Sequence, residues 1–460
     1  MNRMKGIVTG LFLLLLTTTQ AQQKYELTVK EAVEMAYKNV IEIKNAEIDY
    51  RIQEAQNKEI TGRALPQVTG NIGSQYYLQL PTILFPNAQD ASIYNVLLKE
   101  NLLPSGTAIP PVTFQQVSFQ QPWNLSIGAT VNQLLFQPDV FVGLQARKTA
   151  LNLSSAMIEQ TKDRVKDSAY RRYYAILIAE KQLGFLDSSI VRLEKLYHDD
   201  SIMYKNGFAE RLDLDRVQVQ LNNLKTTRNI VDNSVTISYA ALKFAIGVSQ
   251  KDTVRLKEEL TTESIKEGIL DNSFKYEDRP EIRTLQVSRE LQQLDVKRNK
   301  LAALPTAALA GNYSVNAQGQ KFFTNKDTRW LKSSYIGLNI AVPIFDGFQR
   351  RYKVQQAQLK VDKIDNTITN VKQAIDFQQT VSQESLKNAL LNLDTQERNL
   401  QLALRVYNTT KIKFEQGLGS SFEVLQSDAD YQQAQSNYFN ALYNATVARI
   451  GYQSALGKLQ

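Results

Sequence analysis

The chain repeats itself, and this constrains its fold more than any other feature. Glu42-Ile43-Lys44 and Glu281-Ile282-Arg283 match at a separation of 239, as do Ala64-Leu65-Pro66 and Ala303-Leu304-Pro305. Ile127-Gly128 and Leu135-Phe136 match Ile336-Gly337 and Ile344-Phe345 at 209, and Gly207 and Gly247 match Gly417 and Gly457 at 210. A chain of this kind must build one structural unit twice. Each unit reads helix, strand, loop, strand, long helix, Gly-containing turn, helix. The first covers residues 22–248, the second 278–460, and 249–277 joins them. Between the paired strands the separation drops by 30, so the first inter-strand loop, about residues 80–122, is the longer one. It holds six of the 11 prolines, which predicts an irregular, surface-exposed segment.

The first 21 residues read as an export signal. Arg3 and Lys5 form a basic start, Ile7–Leu16 an apolar stretch, and Thr19-Gln20-Ala21 a small-x-small cleavage site. The apolar stretch is too short to span a bilayer as a helix. No later run of 18 apolar residues follows. The mature chain is therefore expected to be periplasmic, secreted, or inserted in an outer membrane as β-structure.

Four segments alternate with the period of a strand, at about 67–79, 123–136, 306–316 and 333–345. Trp123, Leu125, Ile127, Ala129, Val131 and Leu135 share one face, with Asn124, Ser126, Gly128, Thr130 and Asn132 on the other. Val68, Ile72, Tyr76 and Leu78 oppose Gln67, Thr69, Asn71 and Gln75. Ile336, Leu338, Ile340, Val342 and Ile344 oppose Gly337, Asn339 and Ala341, with Ser334 breaking the parity. The segment Ala307–Val315 is weaker, with Leu309, Tyr313 and Val315 against Asn312 and Ser314. A tilted strand of about 9–11 residues crosses a bilayer, and uncharged polar faces suit a wet lumen. A soluble sandwich with one wet face shows the same alternation. The export signal and the scarcity of charge in these strands favour the membrane. Four strands cannot close a barrel, and an open sheet edge cannot face lipid, so several chains must pool their strands.

Proline-free stretches at about 139–204 and 348–414 read as helices, each about 100 Å long at about 1.5 Å per residue. Val361, Ile368, Ile375, Leu386, Leu393, Leu400 and Tyr407 fall at coiled-coil spacing. After the Gly turns, helices at about 210–246 and 421–456 share one register. Leu214, Val217, Leu221, Leu224, Val231, Val235 and Leu242 match Val424, Ser427, Tyr431, Ala434, Ala441, Ala445 and Tyr452. A narrow seam on otherwise polar helices suits a wall with water on at least one side. Thr28-Val29-Lys30-Glu31 is a capping box that starts the first helix.

Composition removes most catalytic chemistries. The chain has no Cys and a single His, His198, which cannot assemble a zinc site. No Gly-rich phosphate loop or G-x-S-x-G elbow is present, and no cofactor is expected. The net charge of +8 falls to +6 without the signal and is spread along helical stretches, unlike a nucleic-acid interface.

The ordered set of features resembles the TolC-like outer membrane efflux protein family. Leu27-Thr28-Val29-Lys30-Glu31-Ala32, Arg279-Pro280-Glu281-Ile282, the strand starts Leu65-Pro66 and Leu304-Pro305, and Pro343-Ile344-Phe345-Asp346-Gly347 carry it. Phe414-Glu415-Gln416-Gly417, Phe422-Glu423-Val424-Leu425 and the closing Ala455-Leu456-Gly457 complete it. The resemblance implies a mainly α chain with a membrane β-barrel part. It implies a homotrimer that pools twelve strands into one outer-membrane barrel, continuous with a periplasmic α-helical coiled-coil barrel. It also implies partners: a periplasmic adaptor, an inner-membrane pump of the RND, ABC or a similar class, and outer-membrane lipid. Gly207, Gly417, Ser420 and Ser421 would lie at the periplasmic tip where the adaptor docks. Asp213 and Glu423 would line the aperture. Arg63, Arg147, Lys148, Lys300, Arg350, Arg351 and Lys353 flank strand ends and would meet the membrane interface. The competing reading is a soluble periplasmic coiled-coil adaptor, which shares the signal and the heptads but has no need of the two-faced strands.

Overall fold

The structure, a computed structural model, describes residues 23–459 apart from 88, 260, 262, 264, 266–273 and 322–327. The export signal over residues 1–21 lies outside the described residues. The chain begins with β1 (Lys24–Leu27) and α1 (Val29–Asn39). The capping box is formed: Glu31 N–H donates to Thr28 Oγ1 at 3.3 Å, and Thr28 N–H donates to Glu31 Oε2 at 2.8 Å. Then follow α2 (Ile41–Arg63), β2 (Gln67–Tyr76), β3 (Ile83–Asn87), α3 (Gln89–Lys99), β4 (Thr113–Val117) and β5 (Trp123–Phe136). Helix α4 (Pro138–Lys205) has 68 residues and α5 (Arg211–Ala245) has 35. After β6 (Thr253–Leu256) and α6 (Pro280–Leu301) come β7 (Thr306–Gly319) and β8 (Arg329–Ala341). The second half ends with α7 (Gln349–Glu415), 67 residues, and α8 (Ser421–Ala455), again 35.

Two compact units draw on both halves of the sequence. One comprises Ala55–Arg147 and Leu294–Ala357; the other comprises the chain up to Glu54, Lys148–Gln293 and Gln358 onward. The first of these holds a four-stranded antiparallel sheet in the order β2-β5-β7-β8. The strand pairs of the two halves lie side by side, with β2 and β8 as its edges.

Several expectations need correction here. The 80–122 segment is not irregular, because β3 pairs with β4 and α3 sits between them. Ile83-Leu84-Phe85 and Thr113-Phe114 supply strand formers, and a two-stranded hairpin tolerates Pro86 because it has no central strand. The second-half strand expected over 333–345 starts at Arg329 and stops at Ala341. Pro343 has no N–H for a ladder, so Val342 and Ile344 lie beyond the sheet, as Leu78 does beyond β2. In β5 the register slips between Leu134 and Phe136, and Phe136 rather than Leu135 faces Ala307. That is a β-bulge, and it moves Leu135 off the face that alternation gave it.

The other unit carries the hydrophobic core. One cluster joins Leu27, Ala32, Val33 and Ile43 to Tyr173, Ile176, Leu242 and Leu442. Tyr173 is fully buried, and its hydroxyl donates to Leu27 O at 2.9 Å, so the ring fills the core without leaving its polar end unpaired. A second cluster packs Leu193, Leu196, Val217, Leu221 and Leu224 against Tyr407, Val424 and Tyr431. In α5 the seam positions Val217, Leu221, Leu224, Val235 and Leu242 are buried, as helical periodicity requires. Strand β1 pairs in parallel with β6 beside the first cluster.

Candidate functional site: a two-faced sheet and two matched helical turns

Directly paired residues in an antiparallel sheet share a face, so the register gives both faces of β2-β5-β7-β8. One face presents the rows Val68/Val131/Gly311/Ile336, Ile72/Ile127/Val315/Lys332 and Gln133/Leu309/Leu338. The other presents Thr69/Thr130/Asn312/Tyr335 and Asn71/Gly128/Ser314/Ser333. Side chains knit the polar face together: Asn312 donates to Thr130 Oγ1 at 3.1 Å, Ser314 and Ser333 share a hydrogen bond of 2.9 Å, and Asn316 donates to Ser314 at 3.3 Å. Ser74, Gln133, Lys332 and Ser334 are exceptions on the apolar face, and Leu134, Leu331 and Tyr335 on the polar one. Among the described residues nothing covers the apolar face: Val68 is 69% exposed, Ile72 79% and Ile336 83%.

Aromatic pairs mark both ends of the sheet. At the end away from α2, Tyr76 packs on Trp123 with centroids 4.7 Å apart. Just above, Tyr77 N–H donates to Pro122 O at 2.8 Å and closes the neck of the β3-α3-β4 insertion. At the other end Phe136 meets Phe141 at 5.7 Å and Phe345 meets Phe348 at 5.5 Å. Strands of 10 to 14 residues between two aromatic belts match the thickness of a bilayer.

In the helical unit, α4 and α7 end in the same turn. Gly207 and Gly417 have φ of +81° and +75°, a conformation that favours glycine. Phe208 N–H donates to Met203 O at 2.8 Å and Leu418 N–H to Lys413 O at 2.9 Å, the six-to-one bond of a Schellman motif. The two turns lie together: Ser421 Oγ donates to Asp200 Oδ2, and the Arg216 guanidinium sits 5.0 Å from the Phe422 ring. Ser420 caps α8 by accepting from Glu423 N–H at 3.3 Å. Asp213 is paired with Arg216 at 3.4 Å, whereas Glu423 makes no ion pair among the described residues. His198 is exposed.

A buried polar network near these turns was not visible in the sequence. Arg192 Nε donates to Asp428 Oδ1 at 3.1 Å, and its Nη2 donates to Ser189 Oγ at 2.7 Å. Its guanidinium lies 5.4 Å and 5.0 Å from the Tyr407 and Tyr431 ring centroids. Burial pushes the Asp428 carboxyl up, against the pull of Arg192 and of the Gln432 amide. Burial also raises Asp200, with Asp213 and Asp199 adding to it against the Ser421 hydrogen bond.

The basic residues expected at strand ends divide into two groups. Arg63 pairs with Glu59 at 2.6 Å, and Arg147 donates to Thr61 Oγ1 at 2.6 Å while its carbonyl accepts from Asn57 at 2.9 Å. Arg147 thus ties α4 to α2. Lys148 and Lys353 are exposed, and Lys300, Arg350 and Arg351 line one cleft.

Residues 276–458 match the family model described as "Outer membrane efflux protein". Outer membrane protein TolC of Vibrio cholerae is 19% identical over 340 residues, covering 73% of this chain and 77% of that protein. The second half of the chain thus carries the outer membrane efflux protein signature, and most of the chain resembles TolC. Among solved structures, CusC superposes with a TM-score of 0.70 at 13% identity, covering 94% of this chain and 92% of that one. The CmeC outer membrane channel of Campylobacter jejuni gives 0.67 at 17% identity, covering 94% and 85%. The fold is thus shared with proteins described as a transmembrane channel and an outer membrane channel.

Proposed function

We propose that the chain is one protomer of a passive exit duct, open to substrates handed over by an inner-membrane pump through a periplasmic adaptor, and without catalysis of its own. The observation that carries this reading is the uncovered four-stranded sheet, apolar on one face, polar on the other and open at both edges. Such a sheet has no stable form in water. In a bilayer the apolar face meets lipid and the polar face a wet lumen. Strands β2 and β8 run in opposite senses, so β8 of one copy can receive β2 of the next in antiparallel register. Three copies then close twelve strands, and no edge remains. A soluble adaptor has no use for these two faces.

On this reading Gly207, Gly417, Ser420 and Ser421 form the periplasmic tip that meets the adaptor, with Glu423 and Asp213 at the aperture. Residues 22–248 and 278–460 act as two copies of one unit joined by 249–277. The test is the full-length protein purified from the outer membrane, with native mass spectrometry for its state and planar bilayers for conductance. A trimer that conducts ions is expected. A carbonate-extractable monomer without conductance would overturn the reading.

A further inference from the structure

The cleft that gathers Lys300, Arg350 and Arg351 has no structural account of its own. It measures about 430 Å³ and is lined also by Ile344, Phe345, Asp346 and Phe348. None of the three cations forms an ion pair among the described residues. Two of them open α7, where Arg350, Arg351 and Lys353 stand in the first turns and no acidic residue does. Cations are disfavoured there, because the helix dipole is positive at its N-terminus. The matching helix of the first half, α4, follows the ordinary rule: it begins Pro138-Asp139 and has no base before Arg147. The start of α7 is therefore an anomaly confined to one half.

The backbone beside it is also unusual. Gly347 and Phe348 have φ of +62° and +64°, and Phe348 is one of two described non-glycine residues in that conformation. Holding a phenylalanine there costs energy, and the result is a ring 57% exposed beside Ile344 and Phe345, themselves 91% and 75% exposed. The Asp346 carboxylate in the cleft is engaged at the helix start, accepting from Arg350 N–H at 3.0 Å, and it offsets only one of three positive charges. Unpaired cations, the positive end of a helix dipole and bare apolar side chains together describe a site for a phosphate joined to a hydrocarbon.

We infer that this cleft binds the headgroup phosphate of an anionic phospholipid in the periplasmic leaflet of the outer membrane. The phosphate sits among Lys300, Arg350, Arg351 and the start of α7, and the glycerol and acyl carbons lie along Ile344, Phe345 and Phe348. The inference rests on the reading of the sheet as membrane-spanning, which sets the Phe136/Phe141 and Phe345/Phe348 belt at the headgroup level. One such site exists per chain, because the first half lacks the bases.

The test uses the delipidated full-length trimer in a non-ionic detergent. It is titrated with dihexanoyl phosphatidylglycerol, dihexanoyl phosphatidylcholine or inorganic phosphate and read by native mass spectrometry. Phosphatidylglycerol is expected to bind up to one per chain, at least about tenfold more tightly than the zwitterionic lipid. R350Q/R351Q should lose at least about tenfold of that affinity. K297Q should not, since Lys297 donates to Gln145 at 2.7 Å and lies outside the cleft. If R350Q/R351Q does not assemble, K300Q, on α6, carries the test. Failure of both to assemble would assign the cleft to subunit contact and overturn the inference. Equal retention of the two lipids by wild type and variants would also overturn it, as would inorganic phosphate binding as tightly as the lipid. A wild-type chain recovered as a soluble monomer would instead strike the duct reading itself. A conducting trimer with no preference for anionic lipid would leave the duct intact and remove only this site.

Discussion

The Arg192–Asp428 pair allows a quantitative test of how α4 and α8 are held together near the Gly207 and Gly417 turns. Asp428 keeps 1% of its side chain in solvent and Arg192 24%. Replacing Arg192 with Met preserves most of the volume between Tyr407 and Tyr431 but leaves a buried carboxylate with the Gln432 amide as its remaining partner. Breaking a buried pair from one side costs about 3–5 kcal/mol. Arg192 reaches water, so the lower end applies, and about 3 kcal/mol is a fair expectation for R192M. D428N leaves the cation partly hydrated and still packed on two tyrosines, so it should cost only about 1 kcal/mol. The double variant should resemble D428N rather than the sum, because the stranded charge is gone. The predicted coupling is therefore about 3 kcal/mol.

Hydrogen exchange on the assembled protein reads this directly, through peptides covering residues 421–436. In R192M their exchange should speed up by about a hundredfold, since each 1.4 kcal/mol is about tenfold. In R192M/D428N most of that acceleration should disappear. If the double variant exchanges as fast as R192M, the stranded-charge argument is wrong and the loss in R192M is a packing defect.

Other consequences follow from single residues. Asp200 is fully buried and its Oδ1 has no hydrogen-bond partner among the described residues. Its folded pKa lies above the unfolded value of about 3.9, so the unfolded chain releases its proton first and stability falls as pH rises through that window. D200N should therefore raise the melting temperature at about pH 7.5, by a stabilisation of about 1–2 kcal/mol, and change nothing near pH 4; destabilisation at neutral pH would refute the argument. A Cβ at Gly128 would meet Ser314 Cβ and Tyr313 O at 2.9 Å each, whereas one at the matching Gly337 meets nothing closer than 4.0 Å. Gly128→Ala should reduce the yield of trimer, at a cost of about 1–3 kcal/mol, and Gly337→Ala should not. Equal yields on a native gel would show that the central strands can shift. E423Q in a reconstituted channel should lower cation selectivity if the unpaired carboxylate lines the aperture, and an unchanged reversal potential removes it from that role.

What the sequence revealed was periodic, and what it concealed depended on packing. The alternation in 123–136 put Ile127 and Val131 on one face and Thr130 and Asn132 on the other, as the register does. Heptad spacing likewise marked Val217, Leu221 and Leu224, because burial selects for a stripe whatever the partner is. Periodicity gives a face and not a neighbour. Arg192 and Asp428 are 236 residues apart and Asp200 and Ser421 are 221 apart, so no local spacing announces either pair. Arg147 shows the same limit: charge near a strand end suggested the membrane interface, and its hydrogen bond to Thr61 in the neighbouring helix was not legible from spacing. The β3-α3-β4 insertion was hidden by its prolines, which flank the elements more than they interrupt them.

The two halves agree where backbone geometry leaves no freedom and differ where it does. Gly247 and Gly457 both adopt positive φ, and a Cβ on them would lie 2.7 Å from the Asn39 carbonyl carbon and 3.2 Å from Asp278 O. Asn39 and Asp278 are themselves separated by 239, the offset that joins the halves at α2 and α6. The same turn and the same close approach are thus built twice from different side chains. Neither difference at the ends of the sheet has such a constraint. The 83–117 insertion belongs to the first half only, and the unpaired bases at the start of α7 belong to the second only. Neither is required for strand pairing or for the helical seam, because the other half forms both without it. On the duct reading, a closed ring of duplicated units needs only what the halves share. On that reading, what they do not share is left to act outside the ring, and the chemistry of each end points to its use: an apolar, nearly uncharged surface beyond one aromatic belt, and beside the other the cations proposed to meet phosphate.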